Sequence, residues 1–395
     1  MSTESPGPGS TVALWPLYAA GFVTAFGAHS IAASLGAYTR GEHASLLTLG
    51  LLLALYDGAE VILKPVFGSL ADRIGPRPVL LGGLLAFAAA SAAFVLAGNP
   101  AAVGLARLGQ GAAAAAFSPT AGTLVARLSP PKRQGRAFGG YGAWKSLGYT
   151  FGPLLGGVLI TLGGFPLLFA TLAVLALAVT GWAAAVVPSA PPLPRTRQTV
   201  LDLARRLASP GFLRPTATLA ATTAALAVGV GFLPVTGAAA GLPPVVTGAA
   251  VSLLALCSAL VQPWSGRARD AGWLRDGAGM AGGLALAATG MALAAVVPGV
   301  TGVLAAAVAV GAGVGLATPL GFAHLAAATP AERLGQTMGA AEVGRELGDA
   351  GGPLLVGTIA VVATLGAGFL GLAILLGVAA LTVLGARTTA DGTDS

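Results

Sequence analysis

The stretch Ser129-Pro130-Pro131-Lys132-Arg133-Gln134-Gly135 returns 200 positions later as Thr329-Pro330-Ala331-Glu332-Arg333-Leu334-Gly335. At the same offset Gly148, Gly152, Pro153, Leu154, Leu155 and Gly157 return as Gly348, Gly352, Pro353, Leu354, Leu355 and Gly357, and Pro119 returns as Pro319. A weaker echo, offset by 198, joins Pro65, Gly68 and Asp72 to Pro263, Gly266 and Asp270. A chain that repeats itself at this interval is built from two related halves. Equal order and topology in both halves makes them parallel repeats, with a substrate cavity expected between them.

Each half is apolar enough to need lipid as its solvent. Of 395 residues, 55% are hydrophobic and only 9% charged, with a mean hydropathy of +0.83, outside the range of a soluble domain. Crossing about 30 Å of hydrocarbon takes roughly 20 apolar residues. Twelve such runs fall at 12–36, 45–68, 78–97, 101–126, 137–161, 165–187, 214–236, 245–265, 277–297, 300–326, 337–361 and 365–386. The expected fold is therefore an all-α integral membrane protein, with twelve transmembrane helices in two pseudo-symmetric six-helix bundles. The expected domains are 1–187, a cytoplasmic linker 188–213, and 214–395 with its short tail. The 60 Gly and 26 Pro read as close helix packing and broken helices.

Charge placement orients the chain, because loops rich in Lys and Arg stay in the cytoplasm. With the N-terminus inside, the even-numbered connections and C-terminal tail hold Arg73, Arg77, Arg127, Lys132, Arg133, Arg136, Arg195, Arg197, Arg205, Arg206, Arg214, Arg267, Arg269, Arg275, Arg333 and Arg387. The other side holds only Arg40. This asymmetry accounts for the net charge of +7 and argues against a nucleic-acid partner, since no basic groove pattern or interleaved aromatics accompany it. Both termini are expected in the cytoplasm of a multi-pass inner (plasma) membrane protein with a retained first helix. Cys257, the one cysteine, reads as a packing residue. Thr199–Ala208 in the linker reads as a short amphipathic helix on the anionic leaflet.

Helix 2 runs into Gly68-Ser69-Leu70-Ala71-Asp72-Arg73-Ile74-Gly75-Pro76-Arg77. Gly68 and Gly75 permit a tight turn, Asp72 can accept from amides at the N-terminus of a facing helix, and Arg73 and Arg77 hold the segment at the membrane surface. The stretch resembles the 2–3 loop signature of the major facilitator superfamily, Gly-x-Leu-Ala-Asp-Arg-x-Gly-Arg-Arg, with Pro76 in place of a basic residue. The resemblance implies a latch on the outward-facing state. Helix 5 carries Gly148-Tyr149-Thr150-Phe151-Gly152-Pro153-Leu154-Leu155-Gly156-Gly157, similar to the Gly-x-x-x-Gly-Pro-x-x-Gly-Gly motif of the superfamily's drug:proton antiporter branch. Its small residues allow close helix approach and its proline is expected to bend the helix. Arg107 with Gly111 in helix 4 matches the Arg-x-x-x-Gly element of that branch, whose implied role is to help proton transfer.

Several ionisable residues lie where lipid would exclude them. Asp57, Glu60 and Lys64 share one face of helix 2, and Glu342, Arg345, Glu346 and Asp349 one broad face of helix 11. In the superfamily's arrangement these helices are neighbours at the boundary between halves. Counting 1.5 Å per residue, Lys64, Glu60 and Asp57 lie about 6, 12 and 16 Å deep, and Glu342, Arg345 and Asp349 about 8, 12 and 18 Å. Lys64 is expected to pair with Glu342 or Glu346, and Glu60 with Arg345. Asp57 and Asp349 would remain as desolvated carboxylates, one of them suited to carry a proton; a static ion-pair network is the other reading. At the equivalent seam of helices 5 and 8, Ala255, Ser258 and Gln262 replace the charges and Lys145 is the ionisable residue left, suited to an anionic substrate group or a backbone carbonyl.

Lys145, Tyr149, Tyr56 and His29 are the candidate cavity residues, with Tyr141, Trp144 and Phe151 adding aromatic surface. His324 reads as a packing residue and His43 as a loop residue. The expected function is secondary active transport, most plainly proton-coupled efflux of a drug-like small molecule by a monomer. Export of a sugar or toxic anion, or uptake by symport, stays open. No phosphate-cradling loop, metal-ligand cluster or nucleophile arrangement points to an enzyme, and no cofactor is expected.

Overall fold

The computed structural model describes residues 9–41, 46–95, 99–193 and 200–385, and among them the regular structure is entirely helical. The helices are α1 (Gly9–Gly41), α2 (Leu46–Ile74), α3 (Pro76–Val95), α4 (Pro100–Leu128), α5 (Gln134–Val186), α6 (Val200–Leu207), α7 (Pro210–Ala239), α8 (Pro244–Asp270), α9 (Asp276–Val296), α10 (Gly299–Ala328), α11 (Leu334–Val362) and α12 (Leu365–Gly385). Two 3-10 turns, Pro131–Arg133 and Ala331–Arg333, lead into α5 and α11 and fall on the repeated stretch. Arg195, Arg197, Arg387 and His43 lie outside the described residues.

α5 holds two of the sequence's twelve apolar runs and α6 is the linker helix, so twelve membrane-length segments result. The backbone of α5 leaves helical geometry at Gly163 and at Gly164, whose φ of 70° is the left-handed region that glycine enters without a Cβ penalty. This break falls between the apolar runs 137–161 and 165–187, and Pro153 lies within the helix that precedes it. Eight described helices are long and apolar enough to cross a membrane, one of them the 56-residue run Pro131–Val186. Among the described residues, the remaining long helices, α2, α4 and α11, carry the buried charged side chains other than Lys145.

Local chemistry sets the helix starts. α3, α4, α7 and α8 each open on a proline, which has no amide to leave unsatisfied in the first turn. Asn99 caps α4 by accepting from the Ala102 amide at 2.9 Å. Gly75, with φ 96°, is the single-residue break between α2 and α3. The 2–3 signature is thus mostly helix rather than loop: Gly68 to Ile74 are the last turns of α2.

The chain divides into two compact units that do not follow the sequence halves. One comprises Met1–Pro131, Trp144–Arg195 and Thr329–Val343; the other comprises Lys132–Ala143, Thr196–Ala328 and Gly344–Ser395. The opening turns of α5 therefore belong with α7–α10, and those of α11 with α1–α4. The first unit's apolar core gathers Phe26, Ile31, Phe94, Leu168, Phe169 and Leu172. The second unit's core gathers Leu254, Leu284, Met291, Val310, Leu320 and Phe369. Leu105, Leu162 and Val361, by contrast, are exposed on the helix surfaces, as lipid-facing residues would be.

Candidate functional site: a buried ion-pair cluster where α2, α5 and α11 meet

Within the first unit, the last turns of α2 and the first turns of α11 meet backbone to backbone. A Cβ on Gly68 would overlap the Gly335 carbonyl oxygen, and one on Gly339 would lie 2.6 Å from the Lys64 carbonyl oxygen. Gly68 therefore serves close approach, not the turn that the sequence suggested. One turn beyond Gly339, this approach delivers Glu342 to the charged face of α2.

Lys64 is 1% exposed and Glu342 2%. Lys64 Nζ donates to Glu60 Oε2 at 2.9 Å and lies 3.6 Å from Glu342 Oε2. Lys145 Nζ, from α5, lies 3.5 Å from the same Glu342 oxygen. One carboxylate on α11 thus serves two ammonium groups from two other helices. The repeat assigns Lys145 to the seam with α8; its ammonium group instead meets Glu342, which lies in the same compact unit. Breaking a buried pair by removing one member costs about 3–5 kcal/mol, so this cluster stays closed while every member is charged.

Toward α4, the Arg107 guanidinium, 2% exposed, stacks 4.3 Å from the Tyr56 ring centroid. Asp57 and Glu60 are the carboxylates acting on its charge. A Cβ on Gly111 would overlap the Tyr56 carbonyl oxygen, so the Arg-x-x-x-Gly spacing brings guanidinium and ring together. Tyr56 is accordingly buried under Arg107, not displayed in an open cavity. Gln110 Nε2 donates to Ser91 Oγ at 2.8 Å.

At the end of α2, the fully buried Asp72 accepts from the Gly335 amide and the Gln336 amide, each at 2.8 Å. A carboxylate at a helix N-terminus satisfies otherwise orphaned donors and opposes the positive end of the helix dipole. Arg127 Nη2 is 3.6 Å from Asp72 Oδ1 and donates to the Ala331 carbonyl at 3.1 Å. Arg77 donates to the Ala184 carbonyl at 2.6 Å, while Arg73 is exposed. The second unit repeats the arrangement: Asp270 accepts from the Gly135 and Arg136 amides at 2.9 and 2.7 Å.

The glycines of the helix 5 motif pack on α1. Cβ atoms on Gly148, Gly152 and Gly156 would lie 2.7 Å from the Phe22 carbonyl oxygen, 3.1 Å from His29 Cβ and 2.6 Å from Ser30 Cβ respectively. Gly157 has nothing within 4 Å, so it contributes no such contact. His29 and Tyr149, both half-buried, meet edge to face at 4.3 Å, and His29 Nδ1 lies 3.0 Å from the Ala25 carbonyl. That bond needs the proton on Nδ1.

Two expectations change. Asp57 and Asp349 are exposed; in the two charged stripes the buried carboxylates are Glu60 and Glu342. Arg345 is buried in the second unit, where its Nε donates to Thr223 Oγ1 at 3.3 Å and its guanidinium sits 5.8 Å from the Phe322 ring; Glu346 is half-buried. The sequence reading also missed three groups. Arg127 had counted only toward orientation, since an arginine in a last helical turn is common. Arg269 and His324 flank Asp276 at 2.6 and 3.1 Å, a cluster whose signal was the carboxylate at the start of α9. Trp15, at 5.9 Å from Trp144, joins α1 to the aromatic surface of α5.

Residues 17–293 match the model of the Major Facilitator Superfamily. The chain is similar to the quinolone resistance protein NorA of Staphylococcus aureus, 31% identical over 109 residues, which is 28% of each chain. It is also similar to multidrug resistance protein 2 of Bacillus subtilis, 29% identical over 160 residues and 40% of each chain. The match thus spans well under half the length of either relative. Among solved structures, the human organic anion transporter MFSD10 (TETRAN) has a TM-score of 0.78 at 17% identity, covering 95% of this chain and all of that one. The Escherichia coli fucose:proton symporter FucP has a TM-score of 0.77 at 13% identity, covering 95% and 98%. These two likenesses establish the fold.

Proposed function

The chain belongs to the Major Facilitator Superfamily, a multi-pass membrane transporter family, and on that premise we propose that it exports a small drug-like molecule in exchange for protons. One observation carries the reading: Glu342 is buried between Lys64 and Lys145. A proton on Glu342 removes the one negative charge that both ammonium groups share at that oxygen, and so releases α11 from α2 and α5. Until then, hydrating or separating the cluster leaves buried charges unpaired. Proton arrival and opening of the α2–α11 seam are thereby the same event, as alternating access requires. Glu60, still bonded to Lys64, keeps that lysine neutralised while the seam is open.

The partial likenesses to a quinolone resistance protein and a multidrug resistance protein support a drug-like substrate. The half-exposed aromatic surface of Trp15, Trp144, Tyr149 and His29 on α1 and α5 suits one. The halves 1–187 and 214–395 are taken as the moving bodies. The basic residues on the connections next to Asp72 and Asp270 support an orientation with that end and both termini in the cytoplasm of an inner-membrane monomer.

The test is transport in everted membrane vesicles with ethidium and norfloxacin as probes. Accumulation driven by an imposed pH gradient and abolished by a protonophore is the expected result. Accumulation that persists with the protonophore, or probe uptake into whole cells, would overturn the proposal.

A further inference from the structure

The two repeats build the same backbone contact twice. Gly339 faces the Lys64 carbonyl oxygen at 2.6 Å from its ideal Cβ position, and Gly139 faces the Gln262 carbonyl oxygen at 2.5 Å. Gly68 abuts Gly335 as Gly266 abuts Gly135. Asp72 caps α11 as Asp270 caps α5. The offsets that align these backbones also align side chains: Glu60 with Ser258, Lys64 with Gln262, and Glu342 with Gly142.

The side chains keep the geometry and lose the charge. Lys64 Nζ donates one turn back to Glu60 at 2.9 Å; Gln262 Nε2 donates one turn back to Ser258 Oγ at 3.1 Å. Where Glu342 brings a carboxylate to Lys64, Gly142 brings none, and a Cβ there would overlap Gln262 Oε1. Both glutamine and serine are buried. We infer that Gln262, seated on Gly142 and held by Ser258, is a positioning residue for a gate contact that opens without exchanging a proton, so that ion coupling is confined to the α2–α11 seam. This rests on the proton-coupled reading above. Glu60, Lys64, Glu342 and Lys145 face one another at the coupled seam, with Arg107 and Asp57 toward α4. At the uncharged seam Asp270, Arg269 and Arg136 lie toward the helix ends, roughly 12 Å along α8 from Gln262 at 1.5 Å per residue, and Asp276 and His324 lie beyond Arg269. A glutamine amide keeps one charge state at every pH, so its contact adds nothing to the proton dependence of opening.

The test uses the full-length protein in lipid nanodiscs with Cys257→Ser. A reporter cysteine is placed at Thr337→Cys or at its repeat equivalent Ala137→Cys, both buried positions, and maleimide labelling is followed across a pH series. Gln262→Met, or Gln262→Asn should the first elute as aggregate, is expected to change the labelling plateau and leave the pH midpoint in place. Glu60→Ser with Lys64→Gln and Glu342→Gly, which copies the uncharged contact into the coupled seam, is expected to abolish the pH dependence while both reporters still label. A midpoint displaced by a whole pH unit in Gln262→Met, or retained titration in the triple variant, overturns the inference alone. Labelling of the unsubstituted seams that ignores pH overturns the proton-coupled reading and the inference with it.

Discussion

The Asp72 carboxylate and the Gly335 amide lie 263 positions apart in sequence and 2.8 Å apart in space. The carboxylate spans two amides of one helix terminus and stands 3.6 Å from Arg127, which ties α2, α4 and α11 at a single side chain. Asp72→Asn keeps one acceptor oxygen but removes the charge that opposes the α11 dipole, a term of up to about 2 kcal/mol in partly buried settings. Maleimide labelling of Thr337→Cys in a Cys257→Ser background should rise by up to about thirtyfold. Unchanged labelling would show that the carboxylate does not hold the terminus.

Glu342→Gln leaves the two ammonium groups of Lys64 and Lys145 facing a neutral amide. A loss of about 3–5 kcal/mol is expected for the uncompensated charge, read as a lowered melting temperature in detergent. Adding Lys145→Met should recover part of that loss, because it removes the one surplus positive charge, Lys64 remaining paired with Glu60. Additive losses in the double variant would mean that the two residues are not coupled.

Gly68→Ala places a methyl group on the Gly335 carbonyl oxygen, a backbone atom that cannot turn aside. Overpacking of this kind costs about 1–3 kcal/mol and should lower transport with it. Gly157→Ala, with open space around it, is the control and should be close to neutral. Equal effects at both positions would contradict the close-approach reading of Gly68.

Tyr56→Leu removes the ring beneath the Arg107 guanidinium while keeping an apolar side chain. Loss of a buried cation–π contact of about 2 kcal/mol is expected, and Tyr56→Phe should retain most of it. Thermal denaturation of the two variants separates these outcomes; equal loss in both would point to the hydroxyl instead of the ring.

Much of this protein was legible before any fold was known. Helix number and the duplicated halves follow from hydropathy and from Ser129–Gly135 recurring at Thr329–Gly335, because crossing lipid is a local demand on roughly 20 consecutive residues. The family signature is likewise local. That Lys64 and Glu342 need charged partners was also readable, since each sits in an apolar run where an unpaired charge is costly.

Which partners they take was not readable. One sequence spacing fits several neighbours, and the choice depends on which helix faces touch. Lys145 looked equivalent to Arg345, yet Lys145 reaches Glu342 while Arg345 turns to Thr223 and Phe322. Asp57 and Asp349 looked buried by depth alone, but depth along a helix says nothing of how closely its neighbours cover that face, and both are exposed. Helices and their charges could be read from the chain because both are properties of contiguous residues. The pairings could not, because a pairing depends on two helix faces meeting at one height and orientation.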